Sequence, residues 1–178
     1  MDIKSLLVLS FICAMGAISP GPSLAVVIRN TITGGRFQGV MTGIGHGIGL
    51  GIYAFIAVLG LSSLILRNEL IFNTMQLMGV FLLLWLSYNM FTNEPPVLTK
   101  EHKISSRRGF IEGFMISFLN PKILVFLVAI FSQFITNDLS FYDRAVMAIL
   151  AGIIDTTWYV FVALMLAGTP LIERVRVN

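Results

Sequence analysis

The sequence has little charge and a single cysteine. Of its 178 residues, 12% are charged and 56% are hydrophobic, whereas soluble domains average about 25% charged residues. The mean hydropathy is correspondingly high, at +0.87. One cysteine excludes an intrachain disulfide framework, and no Cys/His spacing typical of a metal site is present. The composition therefore predicts an all-α integral membrane protein with no metal and no other cofactor.

Two further classes of partner are disfavoured. The sequence lacks a Gly-Lys-Ser/Thr phosphate-binding pattern, so direct coupling to ATP within this chain is not expected. A net charge of +3 would suggest nucleic acid as the partner of a soluble protein. In a membrane protein, basic loops that face the anionic cytoplasmic leaflet explain the same charge. We therefore expect contact with the lipid bilayer and not with nucleic acid.

Long apolar runs make up most of the chain. A helix needs about 20 apolar residues to cross a bilayer core about 30 Å thick. Five segments qualify: Ser5–Ile28, Phe37–Leu66, Leu70–Phe91, Phe110–Ile135 and Ala145–Ile172. The first is uncharged over 24 residues, longer than the roughly 7–15 residues of a signal-peptide core. We therefore expect it to be retained as a membrane span.

The basic residues between these spans predict the orientation. Eight lie on one side of the predicted membrane: Arg29, Arg36, Lys100, Lys103, Arg107, Arg108, Arg174 and Arg176. Three lie on the other side: Lys4, Arg67 and Arg144. Since cytoplasmic loops carry the excess of Lys and Arg, the N-terminus of this multi-pass protein is expected outside.

The two halves of the chain resemble each other weakly. The second span aligns with the fifth at a constant offset that matches Tyr53 with Tyr159. The first and fourth spans each contain a polar residue followed by proline, at Pro20 and Pro121. The second half begins three spans after the first. It therefore crosses the membrane in the opposite direction, as in many secondary transporters. We predict an inverted 3+3-type repeat without its last helix: residues 1–91, a basic cytoplasmic loop at 92–109, and an incomplete second repeat at 110–178.

Both prolines interrupt apolar helices. Proline in a helix interior costs roughly 3 kcal/mol or more, and irregular backbone at membrane depth is tolerated only inside protein or beside a wet cavity. The two breaks therefore predict a substrate site, with an ordinary proline kink as the alternative. The candidate site residues are Ser19, Pro20, Gly21, Pro22, Asn120, Pro121 and Lys122. Ser19 and Asn120 either bind substrate or cap the interrupted helices, and Lys122 is a candidate to contact a substrate carboxylate.

Asp155 and Lys122 are the charges deepest in the predicted spans. Ionisable groups in a membrane face a cavity or pair with one another, and they mark proton relays and substrate pathways. We expect Asp155 to carry protons during transport, and a structural ion pair with Lys122 is the alternative. His46 is the second proton-coupling candidate, although a lone histidine is more often a hydrogen-bonded structural residue than a proton relay. It lies among glycines spaced for close helix packing: Gly39, Gly43, Gly47 and Gly51.

Specific motifs point to a family. The first half contains "SPGPSLAVVIRNTITGGRFQGVMTGIGHG" and the second contains "GFMISFLNPKILVFLVAIFSQF". This combination of Pro-Gly-Pro, a Gly-Gly-Arg opening to the second span and Asn-Pro-Lys in the fourth resembles the LysE/RhtB family of amino-acid exporters. The resemblance covers nearly the whole chain. It implies proton-driven efflux of an amino acid or related small metabolite across the bacterial inner membrane, and members of that family carry a final span that this chain lacks.

Two functions of different classes follow. The leading hypothesis is a secondary exporter, and the alternative is a non-transporting subunit that needs a partner; a homodimer would help to complete the short second half. An enzyme is not expected, because neither His46 nor Asp155 lies in a recognised catalytic motif. The second span has Gly49 where the fifth has Asp155. One buried acid instead of two favours a neutral substrate over lysine or arginine.

Overall fold

The protein is helical wherever its structure is described. The computed structural model describes residues 1–67, 106–136 and 139–168, with six isolated positions at 70, 73, 74, 77, 81 and 84. In chain order the helices are α1 (Ile3–Ile18), α2 (Pro22–Gly34), α3 (Arg36–Arg67), α4 (Ser106–Phe118), α5 (Pro121–Phe131) and α6 (Phe141–Ala167). These ranges contain no strand, and the prediction of an all-α membrane protein is confirmed.

Two helices are long and apolar enough to cross a membrane alone, over Arg36–Gly60 in α3 and Phe141–Ala167 in α6. The other four form two bent pairs: α1 with α2 at 60°, and α4 with α5 at 56°. The described residues thus account for up to four spans, at the places predicted for the first, second, fourth and fifth.

Other predictions fall outside the described residues. Only the six isolated positions, all helical, belong to the predicted third span, Leu70–Phe91. The basic stretch 92–105 and the tail 169–178 are not described. The division of the chain into two repeats and a loop stays a prediction.

Polar side chains lie inside the bundle, and apolar ones cover its outside. Buried polar residues include Ser23, Asn30, Thr31, Gln38, Thr42, His46, Ser117, Asn120 and Asp155. Large exposed apolar residues include Ile48, Ile52, Ile56, Ile149 and Ile153, all on α3 and α6. This reversal of the soluble pattern fits a chain solvated by lipid, in which polar groups must find partners within the protein.

Helix α3 lies at the centre and packs most extensively against α6 and α4. Its glycines make both contacts possible. The four-residue series from Gly39 to Gly51 faces α6, where a methyl group at Gly43 would lie 3.1 Å from the backbone of Tyr159. Gly45 and Gly49 face α4 instead. The prediction of close packing is confirmed, and it extends to a second face of the same helix.

The helix ends on one side of the bundle are tied together. Ser140 and Asp143 form a capping box at the start of α6, and the amino group of Met1 pairs with the Asp143 carboxylate. Asp2 caps α1 by accepting a hydrogen bond from the Ser5 amide. The start of α1 and the start of α6 therefore lie at the same end, as the predicted topology requires.

Substitution of Gly45 tests the α3–α4 contact. A methyl group there would lie 2.1 Å from the carbonyl oxygen of Phe110, which belongs to backbone and cannot move aside. We expect Gly45→Ala to lower the free energy of unfolding in detergent by about 1–3 kcal/mol, as overpacking does. Gly60→Ala on the same helix is the matched control, because nothing lies within 4 Å of its added methyl group. Equal stability of the two variants would contradict this packing.

Candidate functional site

The two helix breaks have related but distinct local geometry. In the first, α1 ends at a Ser19 C-cap, and α2 begins at Pro22 after a Gly21 N-cap. In the second, Asn120 is the N-cap and α5 begins at Pro121. Relative to the helix that follows, Pro121 therefore corresponds to Pro22, because each is the first helical residue. The sequence comparison had matched Pro121 with Pro20, which lies two positions before Pro22.

The capping alternative for Asn120 is realised in the structure. Its side-chain Oδ1 accepts a hydrogen bond from the backbone amide of Lys122 at 3.0 Å. Its Nδ2 atom donates to Ser23 Oγ, 3.4 Å away in the first turn of α2. Asn120 is 8% exposed, so one buried side chain both caps α5 and contacts the other broken pair.

Lys122 also links the second break to the first. Its Nζ atom donates to Ser19 Oγ at 2.8 Å and to the carbonyl oxygen of Pro20 at 3.2 Å. Ser19 in turn donates its hydroxyl proton to the Gly16 carbonyl at 2.8 Å. The structure thus brings together Ser19, Pro20 and Lys122, predicted from two segments about a hundred residues apart.

The first break also places two helix ends of opposite partial charge close together. Gly21 supplies no side-chain cap for α2, so the first amide groups of that helix lack partners within it. This end of α2 carries partial positive charge, and the carbonyl end of α1 carries partial negative charge. Lys122 Nζ lies 3.3 Å from the position a Gly21 side chain would take. A zwitterionic solute would find complementary charge here.

Asp155 pairs with His46 and not with Lys122. The His46 Nδ1 atom lies 2.6 Å from Asp155 Oδ2, and the side chains are 1% and 5% exposed. The alternative in which Lys122 and Asp155 lock their helices together is therefore wrong as a description of this structure. The two proton-coupling candidates, His46 and Asp155, thus form one buried pair between α3 and α6.

The other nitrogen of His46 has no partner. Nε2 is buried and makes no hydrogen bond to any described residue. Burial of a polar atom without a partner costs about 1–3 kcal/mol of folding free energy. The Nε2 atom of His46 is therefore expected to contact a water molecule or a ligand group. The edge of the Tyr159 ring packs on the imidazole, with centroids 4.6 Å apart.

A cavity of about 60 Å³ lies where these groups meet. Its polar wall includes Ser19, Gly21, Asn120, Lys122, His46 and Asp155, and its apolar wall includes Leu50, Ile123, Phe126 and Leu127. Pro22 also lines it. Each water molecule occupies about 30 Å³ in the liquid, and pockets for drug-sized ligands are about 300–1,000 Å³. In this conformation the cavity has room for water but not for an amino acid.

Comparison with known proteins shows the family to which the chain belongs. The family model for LysE type translocators matches residues 14–174. The chain belongs to the LysE type translocator family. No solved structure matches it.

Three relatives of this translocator illustrate the similarity. The uncharacterized membrane protein YahN of Escherichia coli K12 is 30% identical over 156 residues, 82% of this chain and 67% of that protein. The uncharacterized membrane protein YrhP of Bacillus subtilis 168 is 28% identical over 171 residues, 89% of this chain and 81% of that protein. The leucine efflux protein of Salmonella choleraesuis is 32% identical over 120 residues, 65% of this chain and 56% of that protein.

Two hydroxyl-bearing residues of the translocator's cavity were not among the predicted site residues. These are Tyr159 and Ser23. Both carry signals: Tyr159 follows Asp155 by four residues and so shares its helix face, and Ser23 lies in the first turn after the break. Both line the cavity.

Replacement of Asn120 tests the cap. We expect Asn120→Ala to lower the free energy of unfolding by about 1 kcal/mol, because the N-cap acceptor for the Lys122 amide is lost. Asn120→Ser should stay close to wild type, since serine caps helices about as well. Thermal unfolding of the purified variants in detergent measures both. If serine and alanine destabilise equally, the capping role is contradicted.

Proposed function

We propose that this translocator is a secondary transporter that exports a neutral aliphatic amino acid across the bacterial inner membrane, driven by the proton gradient. The observation that carries the proposal is the buried His46–Asp155 pair in the wall of the cavity formed by two broken helices. Broken helices at the midplane supply the substrate and ion sites of many secondary transporters. The family and the name of the Salmonella relative favour an amino acid as the substrate.

The polar wall suits the backbone portion of an amino acid. The carboxylate would be held by Lys122 and the open amide end of α2, where both charges are positive. The ammonium would be held by carbonyl groups at the end of α1 and by Asp155. Lys122 must exchange its bonds to Ser19 and Pro20 for the substrate, so binding would loosen the contact between the breaks.

The apolar wall suits an aliphatic side chain. Leu50, Phe126 and Leu127 contribute apolar surface to the cavity lining. Among the described residues, Asp155 is the only acid that lines this cavity, and it already has His46 as its partner. A lysine or arginine substrate would place a second cation beside Lys122 with no further carboxylate, which argues for a neutral side chain.

The His46–Asp155 pair gives a route for proton coupling. A proton delivered to the pair raises the net charge of the pair by one, which changes the charge that faces the substrate. Because linkage is reciprocal, a proton that alters substrate affinity is itself bound differently when substrate is present. The small cavity must expand for substrate to enter, and loss of the pair's hydrogen bond is a means of permitting that.

Efflux from loaded cells tests the proposal. Cells are loaded with labelled leucine, phenylalanine or lysine, with and without expression of the chain, and the loss of label is followed with and without a proton uncoupler. We expect uncoupler-sensitive loss of leucine and little loss of lysine. No difference from cells without the protein, once its membrane insertion is verified, would favour a non-transporting subunit that needs a partner.

Asp155→Asn tests the proton role. The variant keeps the size and a hydrogen-bonding oxygen but cannot ionise, so we expect pH-driven export to fall to background. Leucine exchange between two compartments at equal pH should persist, because exchange needs no net proton movement. Asp143→Asn is the matched control: this acid is at the start of the same helix, remote from the cavity, and its loss should leave export unchanged. Wild-type pH-driven export by Asp155→Asn would refute the proton role.

A further inference from the structure

A second buried polar cluster lies between α2, α3 and α4, outside the cavity. Arg29 Nη2 contacts Glu112 Oε2 at 2.6 Å, across the gap between α2 and α4. Asn30 is fully buried and holds both: its Oδ1 accepts from Arg29 at 3.2 Å, and its Nδ2 donates to Glu112 at 3.0 Å. The same Nδ2 atom also donates to Thr42 Oγ1 at 3.0 Å on α3. We call Arg29, Asn30 and Glu112 the clasp.

A polar stripe on α3 runs from the cavity to the clasp. His46, Thr42 and Gln38 are spaced by four residues, which places them on one face of the helix, and all three are at most 1% exposed. His46 lines the cavity and Thr42 contacts the clasp. At about 1.5 Å per residue the stripe covers roughly 12 Å. A continuous buried polar stripe is costly in a membrane helix and marks a pathway for polar solutes.

Gln38 supplies an independent sign that the stripe is a pathway. Its side chain is buried, and neither its Nε2 nor its Oε1 has a hydrogen-bond partner among the described residues. Native proteins bury few such groups without a water molecule or ligand to satisfy them. Both ends of this amide therefore require a partner that the described residues do not supply. A route that is hydrated when open accounts for it.

We propose that the stripe is the route between the cavity and the face that carries the basic loops, and that the clasp closes it in this conformation. The inference rests on the proposed export function, which requires the substrate to enter from the cytoplasm. Opening requires α2 and α4 to separate, and the Arg29–Glu112 ion pair and the Asn30 bridge oppose this. The Arg29 and Glu112 side chains are each about one-fifth exposed, so the pair is partly buried and not sealed inside the protein.

Cys13 makes the closure measurable without transport. It is the only cysteine in the chain, and it lines the cavity. A membrane-impermeant methanethiosulfonate reagent, added to inside-out or to right-side-out vesicles containing the full chain, reports access to the cavity from one face at a time. We expect slow modification of the wild type from the cytoplasmic face.

Loss of the ion pair should raise the rate from the cytoplasmic face alone. We expect Glu112→Gln and Arg29→Gln each to increase it about tenfold, the equivalent of about 1.4 kcal/mol of lost closed-state stability. The charge-swapped double variant Arg29→Glu with Glu112→Arg should return the rate toward wild type. Arg108→Gln is the matched control, because the contact of Arg108 with Glu112, at 3.4 Å, lies within α4.

Several results would overturn the clasp. One is an unchanged rate of Cys13 modification in both single variants. Another is a rate that increases from both faces, which indicates general loosening. The third is an equal increase in Arg108→Gln. Leucine efflux measured on the same membranes separates the two claims. Efflux without a side-specific change in labelling refutes the clasp alone, whereas side-specific labelling without efflux refutes the proposed export function alone.

Discussion

Backbone groups released at a helix break must find partners when no water is available, and this constraint organises the bundle. Two helix pairs are broken here, and side chains of the second break make contacts at both. Asn120 caps its own helix and contacts Ser23, and Lys122 reaches back to Ser19 and the Pro20 carbonyl. The glycines of α3 allow the surrounding helices to approach closely enough for these contacts. Partners that satisfy a break are also groups that a polar solute can compete for.

The contacts that stabilise the two breaks are therefore the same contacts that a substrate would replace. Under the proposed function, a substrate carboxylate would replace the bonds that Lys122 makes to Ser19 and Pro20, and the small cavity would have to expand at the same time. The buried His46–Asp155 pair lies beside these bonds. Under the proposed function, its protonation and the occupation of the cavity would be linked through shared space and charge, which is what coupled transport requires. The proposed clasp places a second polar contact between this region and the basic-loop face.

Much of the fold was accessible from the sequence because hydropathy and length determine spans in a bilayer. The proline motifs located both breaks, and the four-residue glycine spacing identified a packing face. What could not be predicted was pairing between distant residues. His46 and Asp155 are 109 positions apart, and Lys122 was an equally plausible partner for the acid on charge alone. Arg29 was read only as an orientation signal, whereas the structure pairs it with Glu112. The cap register that relates Pro121 to Pro22 also needed three-dimensional geometry.

Protection of Cys13 by substrate tests the central claim, that the cavity between the breaks is where an amino acid binds. The rate of thiol modification is measured in permeabilised membranes over a range of leucine concentrations, with lysine as the comparison. The account predicts that leucine slows modification of Cys13 in a saturable way and that lysine does not. Modification at an unchanged rate, in membranes that demonstrably export leucine, would place the substrate site elsewhere in the protein.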